Sequence, residues 1–234
     1  MTTDNQDVKP RRRMNRWLIG IEIAALLAVI AAGIYILTGG DIGGSVEASA
    51  PQRNTGIYKD DHTLGNPNAP VTVIEYAAPS CPHCAHFFLT VFPQLKKQYI
   101  DTGKVYFVFR VFPLMAADGA VEAVARSLPK ERYFGVVDLV YRTQPKWDPE
   151  YGVTNVRDAL VAVLSETGVT AAQFDKILAD QNMQNRINQI AQDGETKYDI
   201  HAVPTFVVNG KVMENKGDVW QDMKAAIDAG LSRH

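Results

Sequence analysis

An α/β fold is predicted for most of this 234-residue chain, on three observations. Two apolar, β-branched runs, 71–77 (VTVIEYA) and 105–112 (VYFVFRVF), flank a stretch of helical periodicity, which reads as a βαβ unit. Residues from about 114 to 198 are helical in character. A short strand, an Asn-Gly turn and a final helix then close the chain, so the order is β-α-β, a helical block, then β-β-α. Ahead of these lies an apolar run long enough to be a transmembrane helix.

That run occupies residues 17–37, and its 21 residues reach about 30 Å at the helical rise, the thickness of a bilayer's hydrocarbon core. Glu22 alone interrupts it, near one end, and Trp17 and Tyr35 lie where interfacial aromatics are favoured. Lys9, Arg11, Arg12, Arg13 and Arg16 outweigh Asp4, Asp7 and Glu22, leaving the first 37 residues at +2 and the rest at −4. Positive charge before the run places residues 1–16 in the cytoplasm and everything after 37 outside. Ala48-Ser49-Ala50 has the pattern of a signal-peptidase site, so a cleaved signal is the alternative. The run exceeds a signal's usual apolar length, and the site lies thirteen residues past its end, so a retained anchor is expected. No basic face stands out beyond residue 38, so nucleic acid is not an expected partner.

Residues 38–60, with Gly39-Gly40, Gly43-Gly44, Ser45, Ser49 and Pro51, read as a flexible linker. The folded domain then spans 61–234, with the turn cluster Asn66-Pro67-Asn68-Ala69-Pro70 near its start. The 71–77 run is nearly continuous in apolar character, as in a central strand covered on both faces. A helix follows over about 82–99, with Phe87, Phe88, Val91, Leu95 and Tyr99 as its apolar positions. Pro93 lacks an N–H and is expected to kink it. Within the helical block, 116–128 stops before Pro129, Thr154 caps a helix to about 166, and Thr170-Ala171-Ala172-Gln173 resembles a capping box opening a helix to about 180. Another helix covers 182–198. Strand 205–208 turns at Asn209-Gly210 into a partner strand at 211–214. The last helix runs 220–229, with Gly230 just past its end.

The chain has two cysteines, Cys81 and Cys84, at the junction of the first strand and helix. Three uses compete. A structural zinc or copper site needs further ligands, which here would be His83 and His86, and His83 lies inside the cysteine loop. A purely structural disulfide would close too small a loop to constrain the unfolded chain much. A redox-active pair fits the placement best. With Cys81 as N-cap and Pro82 at the first helical position, the proline loses no hydrogen bond, because that N–H has no helical partner. Free N–H groups and the helix dipole favour a thiolate at Cys81, lowering its pKa. His83 can add a donor or a charge. Cys84, one turn on, returns to the same face and is the more buried. Cys81 is therefore the attacking sulfur and Cys84 the resolving one.

Glu75 in the first strand has two readings: an edge position facing water, or a buried carboxyl beneath the pair that relays the proton of Cys84. Val203-Pro204 precedes the third strand; sequence physics alone favours the trans bond there.

The segments LGNPNAPVTVIEYAAPSCPHC and VPTFVVNGKV, separated by a helical insertion, resemble DsbA and its thioredoxin-fold relatives over about residues 60–234. The resemblance implies a thioredoxin-like fold with one helical domain inserted at about 114–198, covering the site. It implies that Val203-Pro204 is cis and faces the cysteines, and that Glu75 is buried. It implies a thiol–disulfide oxidoreductase that introduces disulfides into exported proteins bearing free thiols, reoxidised by a membrane oxidase of the DsbB type, with no metal and no cofactor. Soluble family members carry a short cleaved signal, so an anchored chain departs from the pattern. An isomerase or reductase kept reduced is the enzyme alternative, and a metal-binding or chaperone-like protein the non-enzyme one.

Overall fold

Strand β2 (Val71–Ala77) is buried along its whole length, as its unbroken run of branched apolar residues requires. It lies between β3 (Val105–Val111), which runs parallel to it, and β4 (Thr205–Val208), which runs antiparallel. β1 (His62–Leu64) and β5 (Lys211–Val212) close the edges of a five-stranded sheet ordered β1-β3-β2-β4-β5. The computed structural model describes residues 56–233. The span expected over 17–37, the basic segment before it and the linker up to residue 55 lie outside the described residues. Among those described, no helix is long and apolar enough to cross a membrane.

The helix after β2, α1, starts as Pro82–His86 and continues through Phe87–Val91, Phe92–Leu95 and Lys96–Ile100. Pro93 does not end it. Wide turns flank the proline instead, the N–H of Phe92 reaching the carbonyl of Phe87 and that of Asp101 the carbonyl of Lys96. Between β3 and β4 come α2 (Ala116–Ser127), α3 (Tyr133–Arg142), α4 (Val156–Leu164), α5 (Ala171–Leu178) and α6 (Gln181–Tyr198). The final helix, α7 (Val219–Leu231), passes through Gly230 rather than stopping there, and a Cβ at Gly230 would come within 2.8 Å of Val71. That glycine serves close packing against β2, not helix termination.

Alternate residues of β2 face two separate cores. Val71, Val73 and Ala77 pack with α1, α7 and the helical insertion; Ile74 and Tyr76 join Val108, Phe112, Ile200 and Val207 on the opposite face. On that second face Arg110 is 1% exposed, and its guanidinium meets the Asp61 carboxylate with two nitrogens, at 3.0 and 2.7 Å. It also donates to the Tyr76 hydroxyl at 2.7 Å and lies 4.2 Å from the Tyr58 ring centroid. Asp60 takes the Arg186 guanidinium in the same bidentate way, which holds its carboxyl pKa down at about 2. Residues 56–60, expected as the end of the linker, are thus fastened to the sheet and to α6 by charge-assisted bonds.

Gly194 is where α6 rides closest to β2: a Cβ there would lie 2.6 Å from the Tyr76 ring. Alanine is normally about 1 kcal/mol better than glycine inside a helix. At Gly194 the clash should outweigh that gain, so Gly194→Ala should lose about 1–3 kcal/mol of stability in thermal or urea unfolding.

Candidate active site

Cys81 is the N-cap of α1, with extended backbone (φ −76°, ψ 118°) and Pro82 following at the first helical position. Its Sγ accepts the backbone N–H of Cys84 at 3.4 Å. A hydrogen bond with the Cys84 thiol is the largest influence bringing the Cys81 pKa down to about 6; burial acts against it, while the backbone N–H groups of Cys84 and His83 and the His83 charge assist. Cys84 is 0% exposed, and burial first, then the bond to Cys81 and the nearby Glu75 charge, push its thiol up; hydrogen bonding by the Ala78 backbone acts the other way. Both cysteines carry free thiols. The two sulfurs are one turn apart and oppositely tuned.

Glu75 lies in the central strand, paired with Phe109 on one side and Phe206 on the other, and is 0% exposed. The water-facing reading is therefore overturned: β2 has a neighbour on each side and a core on each face. Neither carboxyl oxygen has a hydrogen-bond partner. Burial, and then the charge of Cys81, raises its pKa well above the carboxylate range, which favours the neutral acid. Opposite the pair, Val203-Pro204 is cis, contrary to the trans bond favoured by sequence physics and in line with the resemblance. The Cys81 thiol donates to the Val203 carbonyl at 3.6 Å. Beside them a groove of about 480 Å³ opens between His83, His86 and Phe87 of α1, Val203-Pro204, and Val219 at the start of α7.

The family model described as Thioredoxin matches residues 58–229. The chain belongs to the thioredoxin family. A Rickettsia bellii relative named as a protein-disulfide oxidoreductase is 32% identical over 75% of this chain and 66% of its own length. A Bacillus cereus relative named as disulfide bond formation protein D is 31% identical over 75% of this chain and 81% of its own. Among solved structures, Wolbachia pipientis alpha-DsbA1 superposes with a TM-score of 0.65 at 25% identity, over 76% of this chain and 94% of that one. Sequence, site and relatives agree that this thioredoxin-family member is a thiol–disulfide oxidoreductase with a helical insertion.

His83 and His86, the ligands a metal site would need beside the cysteines, are exposed side chains on the groove, and among the described residues no group of three or more His, Cys, Asp or Glu converges to hold a metal ion. Three residues near the pair were not singled out from the sequence. Asp118 of α2 accepts the Ser80 N–H at 2.7 Å and the Ser80 hydroxyl at 3.0 Å. The Tyr141 hydroxyl of α3 donates to the Ala78 carbonyl at 3.3 Å, and Gln144 Nε2, just beyond α3, donates to the Pro79 carbonyl at 2.9 Å. Asp118 at the third position of a helix is a sequence signal for capping, but nothing in the sequence ties any of the three to residues 78–80.

Two outcomes follow. Titration of the reduced oxidoreductase by thiolate absorbance should give a midpoint near 6 for Cys81 and no second thiolate in the same range. Glu75 has its folded pKa raised, so the unfolded chain ionises first and stability falls as pH climbs above about 4.5. Glu75→Leu removes that loss. It should stabilise the reduced protein by about 1–3 kcal/mol at pH 7 and by less at pH 4, read from denaturant unfolding at the two pH values.

Proposed function

We propose that this protein is an oxidase of protein thiols outside the cytoplasm, acting through Cys81 and Cys84. The observation carrying this reading is the Cys81 sulfur at the start of α1 with a pKa lowered to about 6. Lowering it stabilises the reduced form, so the disulfide form is the better oxidant. A substrate thiolate attacks Cys81 in the Cys81–Cys84 disulfide; that bond breaks, and Cys84 leaves and takes up a proton, which its burial favours. Glu75, neutral and beneath the pair, is the proposed relay for that proton. A second substrate thiolate then attacks the substrate sulfur of the mixed disulfide. The substrate disulfide forms and Cys81 departs as a thiolate, two electrons having passed to the cysteine pair. His83 supports the Cys81 anion, and Pro82 sets the helix start. The carbonyl of Val203, ahead of Pro204, faces the sulfur, where a substrate strand would lie.

The names of the relatives support protein substrates. An oxidising compartment, where such a disulfide persists, agrees with the basic segment and apolar run at residues 1–37. The reading therefore includes a periplasmic domain held by an N-terminal membrane anchor, clients that are exported proteins with free thiols, and reoxidation by a DsbB-type membrane oxidase.

Replacing Cys84 by Ala in cells should accumulate mixed disulfides on Cys81 that reducing agent releases, and Cys81→Ala should accumulate none. The purified pair should equilibrate with glutathione at a potential well above the roughly −270 mV of thioredoxin. A value at or below it would replace the oxidase with a reductase.

A further inference from the structure

We infer that the helical insertion has a direct part in tuning Cys81: Asp118, Tyr141 and Gln144 are positioning residues that hold the 78–81 turn in the geometry the thiolate needs. This deepens the oxidoreductase reading and rests on it.

The turn runs Ala78-Pro79-Ser80-Cys81 and is closed by the Cys81 N–H on the Ala78 carbonyl at 3.0 Å. All four residues are buried, so their backbone polar groups need partners within the protein. Those partners come from the insertion, 38 to 65 positions further along the chain. The Tyr141 hydroxyl joins the Cys81 N–H on the Ala78 carbonyl, Gln144 takes the Pro79 carbonyl, and Asp118 takes the Ser80 N–H. Three consecutive residues before the attacking sulfur are thus each held by a different side chain of the insertion.

Asp118 is the hub. It is 0% exposed, and besides the two bonds from Ser80 it accepts the N–H groups of Leu114 and Met115 at 2.9 and 3.0 Å. Oδ2 takes three of the four donors and Oδ1 the Ser80 N–H, so both oxygens of the carboxylate are engaged. Burial raises its pKa, and the four donors oppose that. Ordinary capping of α2 accounts for the Leu114 and Met115 bonds; the two from Ser80 do nothing for that helix. They tie the loop after β3 to the turn after β2.

The turn matters chemically because it touches both sulfurs. The Ser80–Cys81 backbone sets the N-cap conformation that aims Sγ at the Cys84 N–H. The Ala78 backbone hydrogen-bonds the Cys84 sulfur. A shift of a few tenths of an ångström here weakens donors at a charge-assisted bond, where geometry counts most. None of the three lines the groove beside Val203 and Pro204, so Asp118 and Gln144 act through the turn, while Tyr141 also interacts electrostatically with both sulfurs and Glu75.

Tyr141→Phe keeps the buried ring and removes only the hydroxyl; Asp118→Asn keeps the shape and turns one acceptor into a donor facing donors. Val124→Ala, a buried truncation in the same helix as Asp118, is the control for loosened packing alone. In reduced protein, Asp118→Asn should raise the thiolate midpoint of Cys81 by about one unit, a roughly tenfold loss of thiolate at pH 5, and Tyr141→Phe should raise it less. Both should shift the glutathione equilibrium toward the disulfide form. Val124→Ala should lower the unfolding temperature and leave the midpoint in place. If the substitutions move stability but not the midpoint, or if Val124→Ala moves it equally, the positioning role is overturned. If Asp118→Asn fails to fold, Tyr141→Phe decides alone. A wild-type midpoint near that of free cysteine would instead overturn the oxidase reading, so the two failures are distinguishable.

Discussion

A sulfur anion at the start of a helix depends on donors in front of it and on a backbone behind it that stays still. Free N–H groups exist at every helix start, but they lower a thiol's pKa only if the sulfur is aimed at them. Cys81 is so aimed because its residue is extended while Pro82 is already helical. Much of the surrounding architecture keeps that single change of conformation in place. β2 delivers the chain to it, the insertion grips the turn before it, and the Phe87 ring of α1, 4.5 Å from the Phe206 ring, packs the helix onto β4.

The same strand carries the opposite kind of group. Glu75 sits between Phe109 and Phe206 with no hydrogen-bond partner, at a position where an apolar residue would be more stable. The sheet accommodates it because the other face of β2 is heavily secured. There Tyr76 meets Arg110, which is neutralised by Asp61 and stacked on Tyr58. A buried arginine of this kind is costly unless every partner is present, which explains why residues 56–61 are drawn onto the sheet.

Much of the fold was legible because periodicity reports burial. The run at 71–77 and the spacing of Phe87, Phe88, Val91 and Leu95 could only be a covered strand and a half-buried helix. β1 escaped because three residues, His-Thr-Leu, are too few to show alternation. Residues 133–142 were read as helical in character without being delimited, since their start follows a short turn at Lys130–Arg132 and carries no side-chain cap. Gly230 was misread because glycine has two uses in helices, termination and close approach, and only the position of Val71 distinguishes them. The cysteine pair was legible from local spacing. Asp118, Tyr141 and Gln144 were not, because their partners are backbone groups, which leave no trace in the identity of residues 78–80.

The unequal environments of the two sulfurs bear on the direction of electron flow. A mixed disulfide on Cys81 can be broken in two ways. Attack by Cys84 requires a thiol whose pKa burial and the bond to Cys81 push up to ionise, and it expels the substrate unchanged in oxidation state. Attack by a second substrate thiol expels Cys81, whose pKa near 6 makes it the better leaving group, and it releases an oxidised substrate. Burial slows the first route while the helix start speeds the second. An oxidase therefore needs no separate device to avoid reversing itself: keeping Cys84 dry and Cys81 charged is sufficient to bias the partition.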